Sequence, residues 1–195
     1  MQMHLSYCRN RRSKGFTLVE LLTVMTIIGI LAALVLGTFK FVQDKAARSR
    51  AESEIKAMEA ALESYKADNG AYPRGADSDS LNPTTLTPST YINSSKVLYQ
   101  ALSGDGTSAL GGAAASDGKL DTGSKQYMEF KPNQLNTTTF YVVDPWGNSY
   151  GYSTIYQANS EKATPTNPSP GNNPTFDLWS TGGSSTDVLK WIKNW

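Results

Sequence analysis

Apolar residues fill positions 16–36 almost without a break, and beyond them the apolar positions thin to one in every three or four. Phe16–Leu36 carries no charge other than Glu20, and twenty-one residues at ~1.5 Å per residue reach ~31 Å, about the hydrocarbon thickness of a bilayer. The pattern then becomes a stripe at Ala47, Ala51, Ile55, Met58, Leu62 and Tyr65, with Arg48, Glu52, Lys56, Glu59, Glu63 and Lys66 between, the signature of one apolar helix face. No proline interrupts residues 16–72, so the spacing predicts a single helix from Phe16 to about Asp68, ~80 Å long, ended by Asn69-Gly70 and Tyr72-Pro73.

Residues 74–125 are rich in Ser, Thr, Gly, Ala, Asp and Pro, and only Tyr91–Leu102 is apolar enough for a short helix packed on the domain. Gly104–Gly123 reads as a flexible excursion. The period changes to that of strands at Tyr127–Phe130, Phe140–Val143, Tyr150–Tyr156 and Phe176–Ser180, with a Gly147-Asn148 turn and a proline-rich loop over 159–174. Val188, Leu189, Trp191, Ile192 and Trp195 form an apolar tail that tucks back on the sheet or spine. The predicted class is α+β: a long N-terminal helix, half transmembrane and half amphipathic spine, packed on a small antiparallel sheet. The divisions are a head over 1–15, a membrane helix over 16–36, a spine over 37–70, a variable Ser/Thr/Gly-rich insertion over 71–126, and a sheet with its tail over 127–195.

Charge sharpens the division at residue 15. Arg9, Arg11, Arg12 and Lys14 lie in the head, which leaves 14 basic side chains against 17 acidic ones after it, a net charge of −3. No nucleic-acid-binding face is expected there. The head charges favour a cytoplasmic N-terminus, with everything after Leu36 exported. A secretory signal peptide places its apolar run before the cut and loses it; here the one plausible cut, Gly15–Phe16, precedes the run and leaves it in place.

Cys8 and His4, the sole cysteine and histidine, both fall in the head. The part after it therefore offers no disulfide, no His or Cys metal cluster and no Ser-His or Cys-His pair, and no GxxxxGK[ST] run is present for a nucleotide. The chain reads as a structural protein, not an enzyme. Asp77, Asp79, Asp105, Asp117 and Asp121 are the one acid cluster, read as solvated loop residues; a membrane-tethered exported binding module is the alternative that would use them. Glu20 is costly in an apolar stretch unless it stays hydrated at the interface or finds a partner. Gly29 and Gly37 suit close packing of membrane helices or weaken the helix locally.

Lys14-Gly15-Phe16-Thr17-Leu18-Val19-Glu20 followed by the apolar run resembles the leader junction of type IV pilins and pseudopilins. That resemblance implies cleavage by prepilin peptidase between Gly15 and Phe16, N-methylation of Phe16, and a Glu20 that pairs with the N-terminal amine of a neighbouring subunit in a fibre. It also implies that the helix between Gly29 and Gly37 can loosen on assembly, although family members usually have proline where Gly37 stands.

Asp144-Pro145-Trp146-Gly147-Asn148-Ser149-Tyr150 resembles the Asp-Pro-Trp-Gly-x-x-Tyr hairpin of the protein G pseudopilins of type II secretion. Phe176–Gly183, Asp187–Trp191 and Tyr65–Pro73 resemble further segments of the same family, so the likeness covers 15–73 and 140–191 and leaves 74–139 unmatched. Local roles are expected for the hairpin: Trp146 and Tyr150 packing across it, Asp144 closing the turn and Gly147 supplying the unusual φ.

The resemblance implies an inner-membrane, single-pass subunit with a periplasmic domain that polymerises into a pseudopilus driving type II protein secretion. Its implied partners are copies of itself, minor pseudopilins, prepilin peptidase, membrane lipid and an assembly platform with a cytoplasmic ATPase. A type IV pilin of a surface fibre for adhesion, motility or DNA uptake is the nearer alternative. The family also implies Ca2+ in the C-terminal loop; here Asp187 is the one carboxylate, with Thr181 and Ser184 as further oxygen ligands, and a capping role for Asp187 is the alternative.

Overall fold

The computed structural model describes residues 15–84, 87–106, 116–159 and 170–195, in two units, one running to Gln43 and one from Asp44 to Trp195. The helix expected from the apolar pattern is α1 (Leu18–Asn69). It ends as the sequence predicts: Gly70 takes φ +78° and its N–H returns to the Lys66 carbonyl at 2.7 Å, a left-handed cap open to glycine at little steric cost.

In the first unit the large side chains of α1 are exposed on every side, Leu18, Ile27, Leu34 and Phe39 each by more than half. Apolar surface all round a helix is stable only against lipid or other helices. Among the described residues α1 is the one helix long and apolar enough to cross a membrane.

In the second unit the stripe does what its spacing predicts. Ala51, Ile55, Met58, Leu62 and Tyr65 are buried together with Leu98, Tyr99, Ala101 and Leu102 of α3 (Ile92–Ser103), the helix expected near 91–102. Two antiparallel sheets complete the unit. In the first, β1 (Leu135–Asn136) pairs with β2 (Tyr141–Val142). In the second, β3 (Gly151–Ser153), β4 (Asp177–Ser180) and β5 (Ile192–Lys193) lie in that order, with Tyr152 opposite Leu178 and Ser180 opposite Ile192.

Strand periodicity makes β4 the centre of two apolar clusters. Leu178 and Tyr152 join the α1/α3 core, whereas Trp179, one residue on, points to the other face and packs with Leu81, Tyr91, Trp191 and Trp195. The Trp179 and Trp191 rings stack with centroids 6.3 Å apart. The tail thus returns on the sheet as expected, as an added strand.

Three expectations need correction. Tyr127–Phe130 is not a strand: the Tyr127 and Met128 N–H groups both donate to the Leu102 carbonyl at the end of α3, which leaves no ladder. The strand expected over Tyr150–Tyr156 stops at Ser153, because the Ser153 and Thr154 side chains bond Leu81 and Ser78 and the chain turns into α4 (Ile155–Asn159). The described flanks of 104–123 are not a free excursion, although 107–115 lies outside the described residues. Asp105 is fully buried there, accepting from Tyr99 Oη at 2.7 Å and from the N–H groups of Asp117 and Gly118. Asp79 is likewise committed, bonded twice by Arg74 and once by Thr154. Asp77 and Asp117 remain exposed, as read. The short helix α2 (Ala76–Ser80) and the two-residue strands β1 and β5 had no counterpart in the sequence pattern.

Two further buried carboxylates hold loops in the way Asp105 does. Asp177 accepts the N–H groups of Asn172 and Asn173, both at 2.8 Å. Asp144 accepts those of Trp146 and Asn148 with Oδ1 and the Ser180 hydroxyl with Oδ2 at 2.6 Å. Burial pushes both carboxyls above the ordinary range, and the hydrogen bonds pull them only part of the way back.

A carboxyl whose pKa is raised by folding is stabilising below its unfolded pKa, and that contribution is lost as pH rises through the folded one. On acidification from pH ~7 towards ~4, the melting temperature of the wild-type protein should therefore rise relative to that of Asp144→Asn; a constant difference would contradict this. Gly151 makes a steric prediction, since a Cβ there would lie 2.1 Å from Trp179 Cε2. Gly151→Ala should cost ~1–3 kcal/mol by overpacking, read as a lower denaturation midpoint; an unchanged midpoint would contradict the seating of Trp179.

Candidate functional site

In the first unit Gly15 and Phe16 stand exposed just before α1. A Cβ on Gly15 would meet no atom within 4 Å, so nothing in the folded chain itself demands glycine there. Thr17 and Glu20 form a reciprocal capping box. The Thr17 N–H and hydroxyl donate to Glu20 Oε2 at 2.9 and 2.7 Å, and the Glu20 N–H donates back to Thr17 Oγ1 at 3.2 Å. Glu20 thus has a partner in its own helix end, an answer besides hydration or a neighbouring subunit. The Thr-x-x-Glu spacing carries this signal, and the sequence reading passed over it. Across Gly29 and Gly37, α1 is helical throughout in this single chain.

The second unit holds the hairpin. The Gly147 N–H donates to the Asp144 carbonyl at 2.9 Å, and Gly147 has φ +85°; Pro145, inside this turn, presets its φ. Asp144 closes the turn as predicted. Trp146 and Tyr150, expected to pack across the hairpin, instead reach two different points of α1. Trp146 Nε1 donates to Asp44 Oδ1 at 3.2 Å, and Tyr150 Oη donates to Glu54 Oε2 at 2.7 Å. The indole also covers Gly183, where a Cβ would fall 2.7 Å from Trp146 Cδ1.

Glu54 is a charged side chain inside the apolar stripe, 7% exposed. Its Oε1 accepts Arg50 Nε at 2.7 Å and Gln134 Nε2 at 3.0 Å, so one carboxylate ties α1 to both sheets' neighbourhoods. Burial, and secondarily the Glu54 charge, push the Tyr150 hydroxyl far up, which keeps it protonated and donating. Sequence reading missed Asp44, Arg48 and Glu54 as anchoring residues. Glu54 was legible in principle, because it stands three residues after Ala51 and four before Met58, among core positions.

The C-terminal loop brings Thr181, Ser184 and Asp187 into one turn and engages most of their oxygens internally. Asp187 Oδ1 accepts the Leu189 N–H at 3.0 Å, the cap of a short 3-10 helix, and Oδ2 lies 3.9 Å from Lys190 Nζ. Ser184 Oγ accepts the Asp187 N–H, the Ser184 carbonyl accepts Trp191 Nε1, and the Thr181 carbonyl accepts the Ser184 N–H. The Thr181 hydroxyl is buried without a partner, one neutral oxygen. Calcium takes six to eight oxygens with several charges among them. One carboxylate already facing a lysine does not fit that requirement.

Two family descriptions match the sequence: a prokaryotic N-terminal methylation motif over residues 10–36, and type II secretion system protein G over 40–98. The second match runs into the interval 74–139 where the motifs alone gave no resemblance. A type II secretion system core protein G of Pseudomonas aeruginosa is 31% identical over 193 residues, 96% of this chain and 98% of that protein. Relatives of the same name match over shorter stretches: 46% identity over 65 residues in Klebsiella michiganensis and 43% over 79 in Aeromonas hydrophila, 33% and 39% of this chain. The matched part spans about half the length of those two relatives, 46% and 55%. No solved structure gives a significant match. Since the Pseudomonas aeruginosa relative is similar along nearly the whole of both chains, this chain belongs to the type II secretion system protein G family.

Proposed function

We propose that the chain is a non-enzymatic structural subunit of a pseudopilus, anchored in the inner membrane by α1 and polymerised to drive type II protein secretion. The observation that carries this reading is the head of α1. An apolar helix, exposed on all sides, begins three residues after Gly15, and the one carboxylate in its apolar part, Glu20, is held at its first turn. Surface of that kind is stable in lipid and then in a bundle of identical helices, so a subunit can pass from one to the other without remodelling its second unit.

In this reading a prepilin peptidase removes residues 1–15 and methylates Phe16, the basic head having held the N-terminus in the cytoplasm while the second unit stands in the periplasm. Glu20 then exchanges its Thr17 contacts for the free amine of a neighbouring subunit. Two opposite charges that would each be costly in an apolar fibre core neutralise one another and set the axial register. Minor pseudopilins, an assembly platform and a cytoplasmic ATPase would supply initiation and energy.

Two substitutions test the reading in the native host. Gly15→Val should leave an uncut precursor in the membrane. Glu20→Ala should be cut and membrane-bound yet give no fibres in the sheared fraction and no secretion of exoproteins. Normal processing of the first, or normal fibres from the second, would contradict the proposal. Loss of surface fibres with secretion intact would assign the chain to a surface pilus.

A further inference from the structure

Arg48, one of the polar residues between the apolar positions of the spine, reaches the loop between β4 and β5. Its Nη1 donates to the Lys190 carbonyl at 2.8 Å, at the far end of that loop. The same nitrogen lies against the near end, since a Cβ built on Gly182 would stand 3.2 Å from it. The two ends themselves meet there: that Cβ would fall 2.1 Å from the Lys190 oxygen, a closeness and a φ of +60° that glycine alone accommodates without strain. One guanidinium therefore sits where the loop's start and finish converge and donates to a carbonyl turned towards it.

The negative side of the loop is also accounted for. Asp187, its one carboxylate, caps the Leu189 N–H with Oδ1 and has Oδ2 3.9 Å from Lys190 Nζ, so the loop offers a divalent cation a single carboxylate that already has partners, short of the charge calcium takes. Asp44, one helical turn before Arg48, holds the Trp146 indole that covers Gly183. Two residues spaced four apart on α1 thus fasten the loop, one through a neighbouring ring and one through a charge-assisted hydrogen bond. A guanidinium stays charged at all relevant pH and cannot be stripped by a chelator.

We infer that Arg48 closes the C-terminal loop in place of a bound divalent cation, so that the loop keeps its fold without calcium. This stands on the geometry of the second unit and does not depend on the pseudopilus reading.

The test uses the full chain in detergent, melted in EDTA and in millimolar calcium, with amide exchange followed over residues 181–190. Wild type should melt at the same temperature in both solutions. Arg48→Ala should melt lower by about 2–5 °C in both and exchange faster over the loop, with Arg48→Lys in between. Asp187→Asn should show a small loss that is equal in the two solutions. A wild-type melting temperature that falls in EDTA, an Asp187→Asn loss that appears only with calcium, or an Arg48→Ala protein with wild-type melting and loop exchange would each overturn the inference.

Discussion

A single helix must satisfy two solvents, and the rest of the chain is arranged around that constraint. Through Leu36 α1 has no protein core to face, so nearly every position but Glu20 is apolar or small and the backbone satisfies itself within the helix. From Asp44 onward only one stripe may be apolar, because the remaining faces meet water. The polar groups at the borders of each regime are the informative ones. Glu20 accepts the Thr17 N–H and hydroxyl at the helix start, and Asp44, Arg48 and Glu54 meet hairpin and loop groups of the second unit.

Carboxylates do much of the fastening in the second unit. The sequence has no cysteine after Cys8, so its long connections cannot be stapled by disulfides. Asp105, Asp144 and Asp177 are each almost wholly buried, and each gathers two backbone N–H groups from a neighbouring loop. Burying a charge is costly, and the raised pKa values of Asp144 and Asp177 record that cost. The return is a set of turns with one geometry, including the hairpin that carries Trp146 to the spine.

Much of this was legible from residue order. The 3.6-residue stripe located the buried face of α1, Asn69-Gly70 its end, the apolar stretch near 91–102 the second helix, and Asp144–Tyr150 the hairpin. What escaped depended on contacts distant in sequence. Tyr127–Phe130 has strand composition, yet a strand exists only where a partner edge is free, and its donors go to the end of α3. Asp105 looks like a loop acid until Tyr99 and the N–H groups of Asp117 and Gly118 close on it. Arg48 looks solvated until the chain returns with Lys190, 142 residues later. Thr17 and Glu20 differ from these: their capping box is local and readable from spacing alone.

The proposed function makes α1 the N-terminus of a processed, fibre-forming subunit. Its most direct test is the intact mass and N-terminal sequence of the protein recovered from the membranes of its native host. The expected result is a chain that begins at N-methylated Phe16 and keeps all of α1. A chain that retains residues 1–15, or one cut beyond Leu36 so that the apolar segment is lost, would contradict it.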